Sequence, residues 1–467
     1  MLRVFRHYLS GSAVCLFACE AIAICLALLA AATLLRVTDL TAGQATGQAL
    51  ALVLVPSTLN AFAMYAIGLY NHELVDDFRR ALPRLMAVFA IFTLIVALTM
   101  AFLLAPAREA EGDRALLYAS VAGIAFAGVL FARLGFVTIA RITVKPRRVL
   151  VVGVGKLAAE IEYMMSRQQG PTSAIVGYVA LGSEKAEIPQ TRIQPIKKSL
   201  AEFAREQEIK EIVVALADRR GASLQPLLEA RMEGIAITSY LSFWERETRR
   251  VHLRALDPSW LIYSDGFRMG TLTNAFLKRT LDIIVSLALL IFTSPTLLLA
   301  AIAVRLDSPG PILYRQERVG KNGTLFTILK FRTMRTDSES SGIPQWAAAR
   351  DPRITRVGWF LRMARIDELP QILNVLRGDM SFVGPRPERP FFVDTLSASI
   401  PYYSERHRVR PGITGWAQIN YVYGASIEDA NVKLSYDLYY IKNYSFLFDL
   451  LIILSTAEAV FLKGGAR

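Results

Sequence analysis

The chain has 467 residues, 53% of them hydrophobic, with a mean hydropathy of +0.35 and a formal net charge of +13. The length admits several domains, and the hydropathy is too high for an ordinary soluble protein. Cationic excess beside long apolar runs reads first as an orientation signal for membrane segments, not as a nucleic-acid surface.

The first half carries the apolar excess. Four stretches, 12–35, 49–70, 85–105 and 115–140, each approach the ~20 residues needed to cross a bilayer. The first is too long, and too poor in small residues at its end, for a cleaved signal peptide. Arg3 and Arg6 precede it; Arg79, Arg80 and Arg84 lie between the second and third; Arg141, Lys145, Arg147 and Arg148 follow the fourth. Positive charge on the inner side places the N-terminus and everything after Arg141 in the cytoplasm. Arg133, inside the fourth stretch, reads as incidental. All three cysteines (Cys15, Cys19, Cys25) fall in the first stretch, and the four histidines are scattered. That spacing excludes a disulfide framework or a zinc site, so a metal would be a hard, oxygen-bound ion such as Mg²⁺.

After Arg148 the run Val149-Leu150-Val151-Val152 leads into Gly153-Val154-Gly155-Lys156-Leu157-Ala158. This strand, glycine turn and helix fit a dinucleotide-type fold. Further strands are expected at 175–181 and 211–217. The first ends in Ala180-Leu181-Gly182 where a ribose-holding acid belongs, so a vestigial or regulatory role is favoured over NAD chemistry. Residues 244–273 read as a linker.

A fifth apolar run, 281–306, is interrupted by Ser294-Pro295. Proline lacks the N–H and clashes one turn back, so the helix should kink or break there. Lys278 and Arg279 before the run and Arg305 in its last turn are equally basic flanks. Such flanks fit a helix that enters and returns on one side as well as a kinked span. Residues 446–462 are apolar but short, with Asp449 and Glu458, and suit an interfacial or docking helix.

Between these lie the residues with chemistry. In Thr327-Ile328-Leu329-Lys330-Phe331-Arg332, strand alternation puts Lys330 and Arg332 on one face, suited to phosphate. Asp367 and Glu368 are immediate neighbours among Arg362 and Arg365, followed by Pro370 and, further on, Gly384-Pro385-Arg386-Pro387. Neighbours on a helix point about 100° apart, which disfavours a shared-proton pair and suits two different jobs. Taken alone, Asp367 and Glu368 also fit a charged helix start.

The ordered motifs Tyr314-Arg315-Gln316-Glu317-Arg318-Val319-Gly320, Lys330-Phe331-Arg332-Thr333-Met334, Ile366-Asp367-Glu368-Leu369-Pro370-Gln371, Leu376-Arg377-Gly378-Asp379-Met380-Ser381, Val383-Gly384-Pro385-Arg386-Pro387-Glu388 and Arg410-Pro411-Gly412-Ile413-Thr414-Gly415-Trp416-Ala417-Gln418 resemble the bacterial sugar transferase family. These are the polyprenyl-phosphate sugar phosphotransferases, or monotopic phosphoglycosyl transferases, here in a long form close to the exopolysaccharide branch.

The resemblance implies a membrane α-helical N-terminal bundle (1–145), a Rossmann-like α/β middle domain (146–243), the linker, and an α/β phosphoglycosyl transferase domain (274–467) with a re-entrant helix broken at Ser294 and Pro295. It implies transfer of a sugar-1-phosphate from a UDP-sugar to undecaprenyl phosphate, with UMP released. Asp367 would be the nucleophile, Glu368 its acid partner, and Asp367 or Glu368 the Mg²⁺ ligands. Lys330, Arg332, Arg386, Arg362 and Arg365 would contact phosphate, and Lys278 and Arg279 the lipid headgroups. Expected partners are membrane lipids, a second copy in a homodimer and downstream polysaccharide glycosyltransferases, with no nucleic acid. The expected location is the bacterial inner membrane, multi-pass, with the catalytic domain in the cytoplasm. The competing expectation is a catalytically silent scaffold. Ala364-Arg365 departs from the Ser or Thr expected ahead of Ile366-Asp367.

Overall fold

The computed structural model describes residues 2–4, 7–9 and 11–34, helical residues at 64, 85–86, 88–89, 126–136 and 138, and residues 146–461 apart from short breaks and a longer one at 336–352. Of the four N-terminal apolar stretches, the first forms a helix, Gly11–Leu34. The other three fall largely outside the described residues. Arg133 is paired with Glu20 (Nε to Oε1, 2.7 Å), both side chains buried. A charge in an apolar segment takes a partner, so Arg133 is a tie between segments and not incidental.

Two compact units form, one at 138–264 and one containing 265–467. In the first, β1 (Arg147–Val152), β2 (Ser173–Val179), β3 (Glu211–Val214) and β4 (Ala236–Ser239) make a parallel sheet in the order β2-β1-β3-β4. The central strands β1 and β3 carry aliphatic runs because both faces are covered, whereas the edge strand β4, Ala-Ile-Thr-Ser, is half-buried. Val149 and Val151 face one core with Ile161 of α1 (Lys156–Arg167). Leu150 and Val152 face another with Leu200 of α2 (Leu200–Glu206) and Leu227 of α3 (Gln225–Met232). The glycine turn follows β1: Gly153 has φ +127°, and a Cβ there would lie 2.3 Å from the Ala215 carbonyl oxygen. The unit continues past residue 243 through α4 (Tyr240–Thr248), where Trp244 is buried against His252, to Ser264. Much of the expected linker is therefore packed structure.

In the second unit α5 (Leu272–Asp307) is a single 36-residue helix containing Pro295. Among the described residues it is the one helix long and apolar enough to cross a membrane. Pro295 cannot donate to the carbonyl of Ile291, and the Ser294 hydroxyl donates to it instead (2.9 Å). The Ser-Pro pair thus repairs the gap it makes, and the helix runs on through it.

A hairpin follows, β5 (Leu313–Val319) with β6 (Leu325–Phe331), antiparallel and with Tyr314 opposite Lys330. Then come α6 (Arg356–Met363), a 3₁₀ turn (Ile366–Gln371) and α7 (Ile372–Arg377). Asn374 of α7 staples this turn to the hairpin: its Oδ1 accepts from Leu329 N–H (3.0 Å) and its Nδ2 donates to Thr327 O (2.8 Å).

β7 (Ser381–Val383) and β8 (Gly412–Thr414) form a parallel pair. Their loops touch backbone to backbone: a Cβ on Gly412 would lie 2.1 Å from Gly384 N. α8 (Ile427–Lys442), started by a Ser426/Asp429 capping box, and α9 (Phe446–Phe461) close the unit. Trp416, Tyr439 and Phe448 pack together between them. α9 docks through the buried Asp449, which holds Lys278 Nζ at 2.6 Å.

Candidate active site

The 3₁₀ turn places the carboxylate pair. Arg365 enters it in the left-handed region (φ 58°), and Pro370 lies inside it. Asp367 and Glu368 thus sit in the first turn of the helical segment that continues as α7, where exposed N–H dipoles favour anions.

Glu368 is caged by cations. Its Oε1 accepts from Lys330 Nζ at 2.8 Å and Arg386 Nη2 at 3.0 Å, and Arg365 Nη1 lies 3.7 Å from Oε2. Burial alone would raise its pKa, but Lys330 and then Arg386 overturn that and hold the carboxyl far below the usual range. Burial pulls the Lys330 ammonium below its ordinary value, with Glu368 opposing.

Asp367 is different. Among the described residues no hydrogen bond or ion pair holds its carboxylate. Burial, and then the neighbouring Glu368 charge, raise its pKa, while Lys330, Arg362 and Arg386 pull against them. The pair is one anchored anion beside one carboxylate left for other partners.

A cleft opens over Lys330, Glu368 and Arg386, walled also by Arg318, Gln371, Pro387, Gly412 and Ile413. Arg386 is fixed at both ends, its Nη2 on Glu368 and its Nη1 on Gln418 Oε1 at 3.1 Å. Its backbone is held as well. Arg406 donates to Arg386 O (3.1 Å), Arg318 to Pro387 O (3.0 Å), Val319 N to Glu388 O (3.0 Å) and Gly412 N to Pro385 O (2.9 Å).

Of the residues singled out from sequence, Lys330, Asp367, Glu368, Arg386 and Arg365 come together. Arg362 stands behind them, its Nε on Thr333 Oγ1 at 2.8 Å. Arg332 does not join them. It is buried, and its guanidinium is spent on the carbonyls of Val304, Ser308 and Pro309 and the Ser308 hydroxyl. Arg332 still donates its N–H to Ile312 O (3.0 Å) just past β6, but its side chain reaches the end of α5 and the loop after it. Lys278 and Arg279 also point inward: Lys278 is buried, and Arg279 donates to the Val375 and Leu376 carbonyls (2.6 and 2.7 Å). Arg318, Gln371 and Gln418 stand in the quoted motifs without being singled out as site residues, and Asn374 and Arg406 lie outside them. The arginine-rich motif around Arg318 and the Gly-Trp-Ala-Gln run ending at Gln418 were the available signals for two of them.

For a metal, no group of three or more His, Cys, Asp or Glu side chains gathers among the described residues. A Mg²⁺ ion takes one or two carboxylates and completes its shell with phosphate and water. Asp367 fits that requirement; the oxygens of Glu368 already face cations.

The fold and site define a membrane-associated α/β protein with a carboxylate and cation centre fit for phosphate chemistry. Residues 273–463 match the family described as bacterial sugar transferase. A UDP-N-acetylgalactosamine-undecaprenyl-phosphate N-acetylgalactosaminephosphotransferase of Aeromonas hydrophila is 48% identical over 193 residues, 41% of this chain and 45% of that protein. A UDP-glucose:undecaprenyl-phosphate glucose-1-phosphate transferase of Caulobacter vibrioides is 46% identical over 191 residues, 40% of this chain and 71% of its own length. A protein of the same name from Xanthomonas campestris pv. campestris is 33% identical over 325 residues, 67% of this chain and 66% of that one. The chain thus spans less than half of the Aeromonas relative. It belongs to the bacterial sugar transferase family.

Proposed function

We propose that the protein is an undecaprenyl-phosphate sugar phosphotransferase that starts exopolysaccharide or other lipid-linked glycan synthesis. Its donor is a UDP-sugar and its acceptor undecaprenyl phosphate. The observation that carries this is the unequal pair, a Glu368 clamped by Lys330, Arg386 and Arg365 beside an Asp367 that has no hydrogen bond or ion pair among the described residues.

An Asp367 oxygen attacks the sugar-bearing phosphorus of the donor, the phosphoanhydride bond breaks, and UMP leaves with that electron pair. A phosphate oxygen of undecaprenyl phosphate then attacks the same phosphorus and releases the Asp367 carboxylate. Two steps let a water-soluble donor and a lipid acceptor take turns in one site. Phosphoryl transfer calls chiefly for alignment and charge neutralisation, which Lys330 and Arg386 supply. Glu368 keeps those cations charged and in place. Asp367 would hold Mg²⁺, which when bound would supply charge neutralisation for phosphoryl transfer.

In this reading α5 is re-entrant, the N-terminal stretches make the protein multi-pass, and the catalytic unit faces the cytoplasm of the bacterial inner membrane. The parallel-sheet unit is a Rossmann-like regulatory or vestigial domain. A homodimer and downstream glycosyltransferases complete the assembly.

The test is nucleotide release from purified protein with Mg²⁺, undecaprenyl phosphate and a panel of UDP-sugars. UMP is expected with at least one donor and is lost in Asp367→Asn. UDP release would mean plain glycosyl transfer. Silence with every donor would favour the scaffold.

A further inference from the structure

One turn of α5 touches both halves of the Glu368–Arg386 ion pair's support. On one side Arg279 grips the last carbonyls of α7, the helix that continues the Asp367-Glu368 turn. On the other side Asp282 and Lys278 grip β7, the strand that runs directly into Gly384-Pro385-Arg386. Asp282 Oδ1 accepts from Ser381 Oγ at 2.9 Å and Phe382 N–H at 2.8 Å. Lys278 Nζ donates to Val383 O at 3.0 Å, to Tyr440 Oη at 3.2 Å and to Asp449 at 2.6 Å. Lys278, Asp282, Ser381 and Asp449 are all at most 6% exposed.

A lysine and an aspartate one turn apart at the head of an apolar helix would ordinarily face water or headgroups. Here both face inward: Lys278 is bonded to Val383 O, Tyr440 and Asp449, and Asp282 holds Ser381 Oγ and Phe382 N–H through Oδ1, its Oδ2 having no hydrogen-bond partner among the described residues. A general packing role would be met by apolar side chains at less desolvation cost. What the polar pair adds is register: it fixes where the strand sits along the helix, and so where Arg386 emerges.

We propose that Asp282 and Lys278 are positioning residues for Arg386, so that this turn of the apolar helix sets the span between Arg386 and Glu368. The inference rests on Arg386 serving the anion cleft, as in the function proposed above. Loss of the Asp282 bonds lets the β7 end drift, and Arg386 leaves Glu368 and the cleft without any group in the cleft being changed.

The experiment is a double-mutant cycle on the full chain in lipid nanodiscs, pairing Asp282→Ala with Arg386→Gln. It is read on affinity for inorganic pyrophosphate and on kcat and KM for UMP release. Asp282→Ala alone is expected to lower pyrophosphate affinity and kcat/KM about tenfold, but less than about threefold when Arg386 is already Gln, because coupled residues are not additive. Asp282→Asn, which keeps an acceptor for Phe382 N–H, should restore most of the loss. Ser381→Ala, which removes one of the two bonds to Asp282, should give a smaller loss with the same dependence on Arg386, and it keeps the test available if Asp282→Ala fails to fold. Additive losses in the two backgrounds would overturn the proposal. A wild-type protein that binds pyrophosphate but releases no UMP would overturn the function and leave the cycle readable. A wild-type protein that does not bind pyrophosphate would overturn both.

Discussion

Two adjacent carboxylates in this chain have opposite electrostatic fates. Glu368 is held low by Lys330 and Arg386, whereas Asp367 is raised by burial and by Glu368 itself. In the function proposed above Asp367 attacks only when ionised, so turnover should fall as pH drops through its raised pKa, above the ordinary aspartate range. Glu368→Gln removes an anion that raises Asp367, and the acid limb of the pH–rate profile should move to lower pH. Lys330→Met removes a cation that lowers it, and the limb should move up. Shifts in the reverse sense would sink this account of the pair. Arg386→Gln should cost about 10²–10³ in kcat, the range for losing a donor aimed at developing charge. At this scale the sequence was legible where chemistry is local: the Asp-Glu adjacency and the Gly-Pro-Arg-Pro turn were visible as written. Arg332 shares the alternation of Lys330, but spacing does not encode the carbonyls of Val304, Ser308 and Pro309 that take up its guanidinium.

Among the elements, a side-chain amide ties the hairpin to α7, beside the Lys330–Glu368 ion pair that ties it to the carboxylate turn. Asn374 pairs with the backbone of Leu329 and Thr327 as a neighbouring strand would, and it is fully buried. Asn374→Leu leaves an N–H and a C=O unpaired, and the expected loss is about 2–4 kcal/mol of stability, seen as a lowered denaturant midpoint. An unchanged midpoint would mean that the hairpin holds its place without the staple. Periodicity could not have revealed this contact, because it lies between residues far apart in sequence and depends on a polar side chain in the core. The first three parallel strands of the first unit were readable for the opposite reason, since their apolar runs are local; β4, a short half-buried Ala-Ile-Thr-Ser, gave no such signal. α5 was legible as an apolar helix with a Ser-Pro disruption, but the hydroxyl that repairs the disruption depends on a rotamer, which spacing does not encode.

For the whole molecule, the open question is how α5 meets the bilayer. Leu272 and Leu306 lie at its two ends and are 89% and 82% exposed. In a background lacking Cys15, Cys19 and Cys25, single cysteines at 272 and 306 would report topology through a membrane-impermeant maleimide. A re-entrant helix should give labelling of both from the cytoplasmic face. Labelling from opposite faces would make α5 a span. Either way, the cleft is tied through Lys278, Arg279 and Asp282 to the helix that is long and apolar enough to cross a membrane, and that bears on the Glu368 cage. A bare cluster of lysine and arginine beside an anionic membrane would be occupied by the commonest headgroups, each carrying a single negative charge. With a carboxylate already among those cations, such a lipid could only exchange one negative charge for another and would gain little. In the function proposed above, a nucleoside diphosphate would bring surplus charge and several oxygens to the same place and would displace such a lipid. The internal anion thus acts as a threshold, keeping the cleft clear of the surface on which it works.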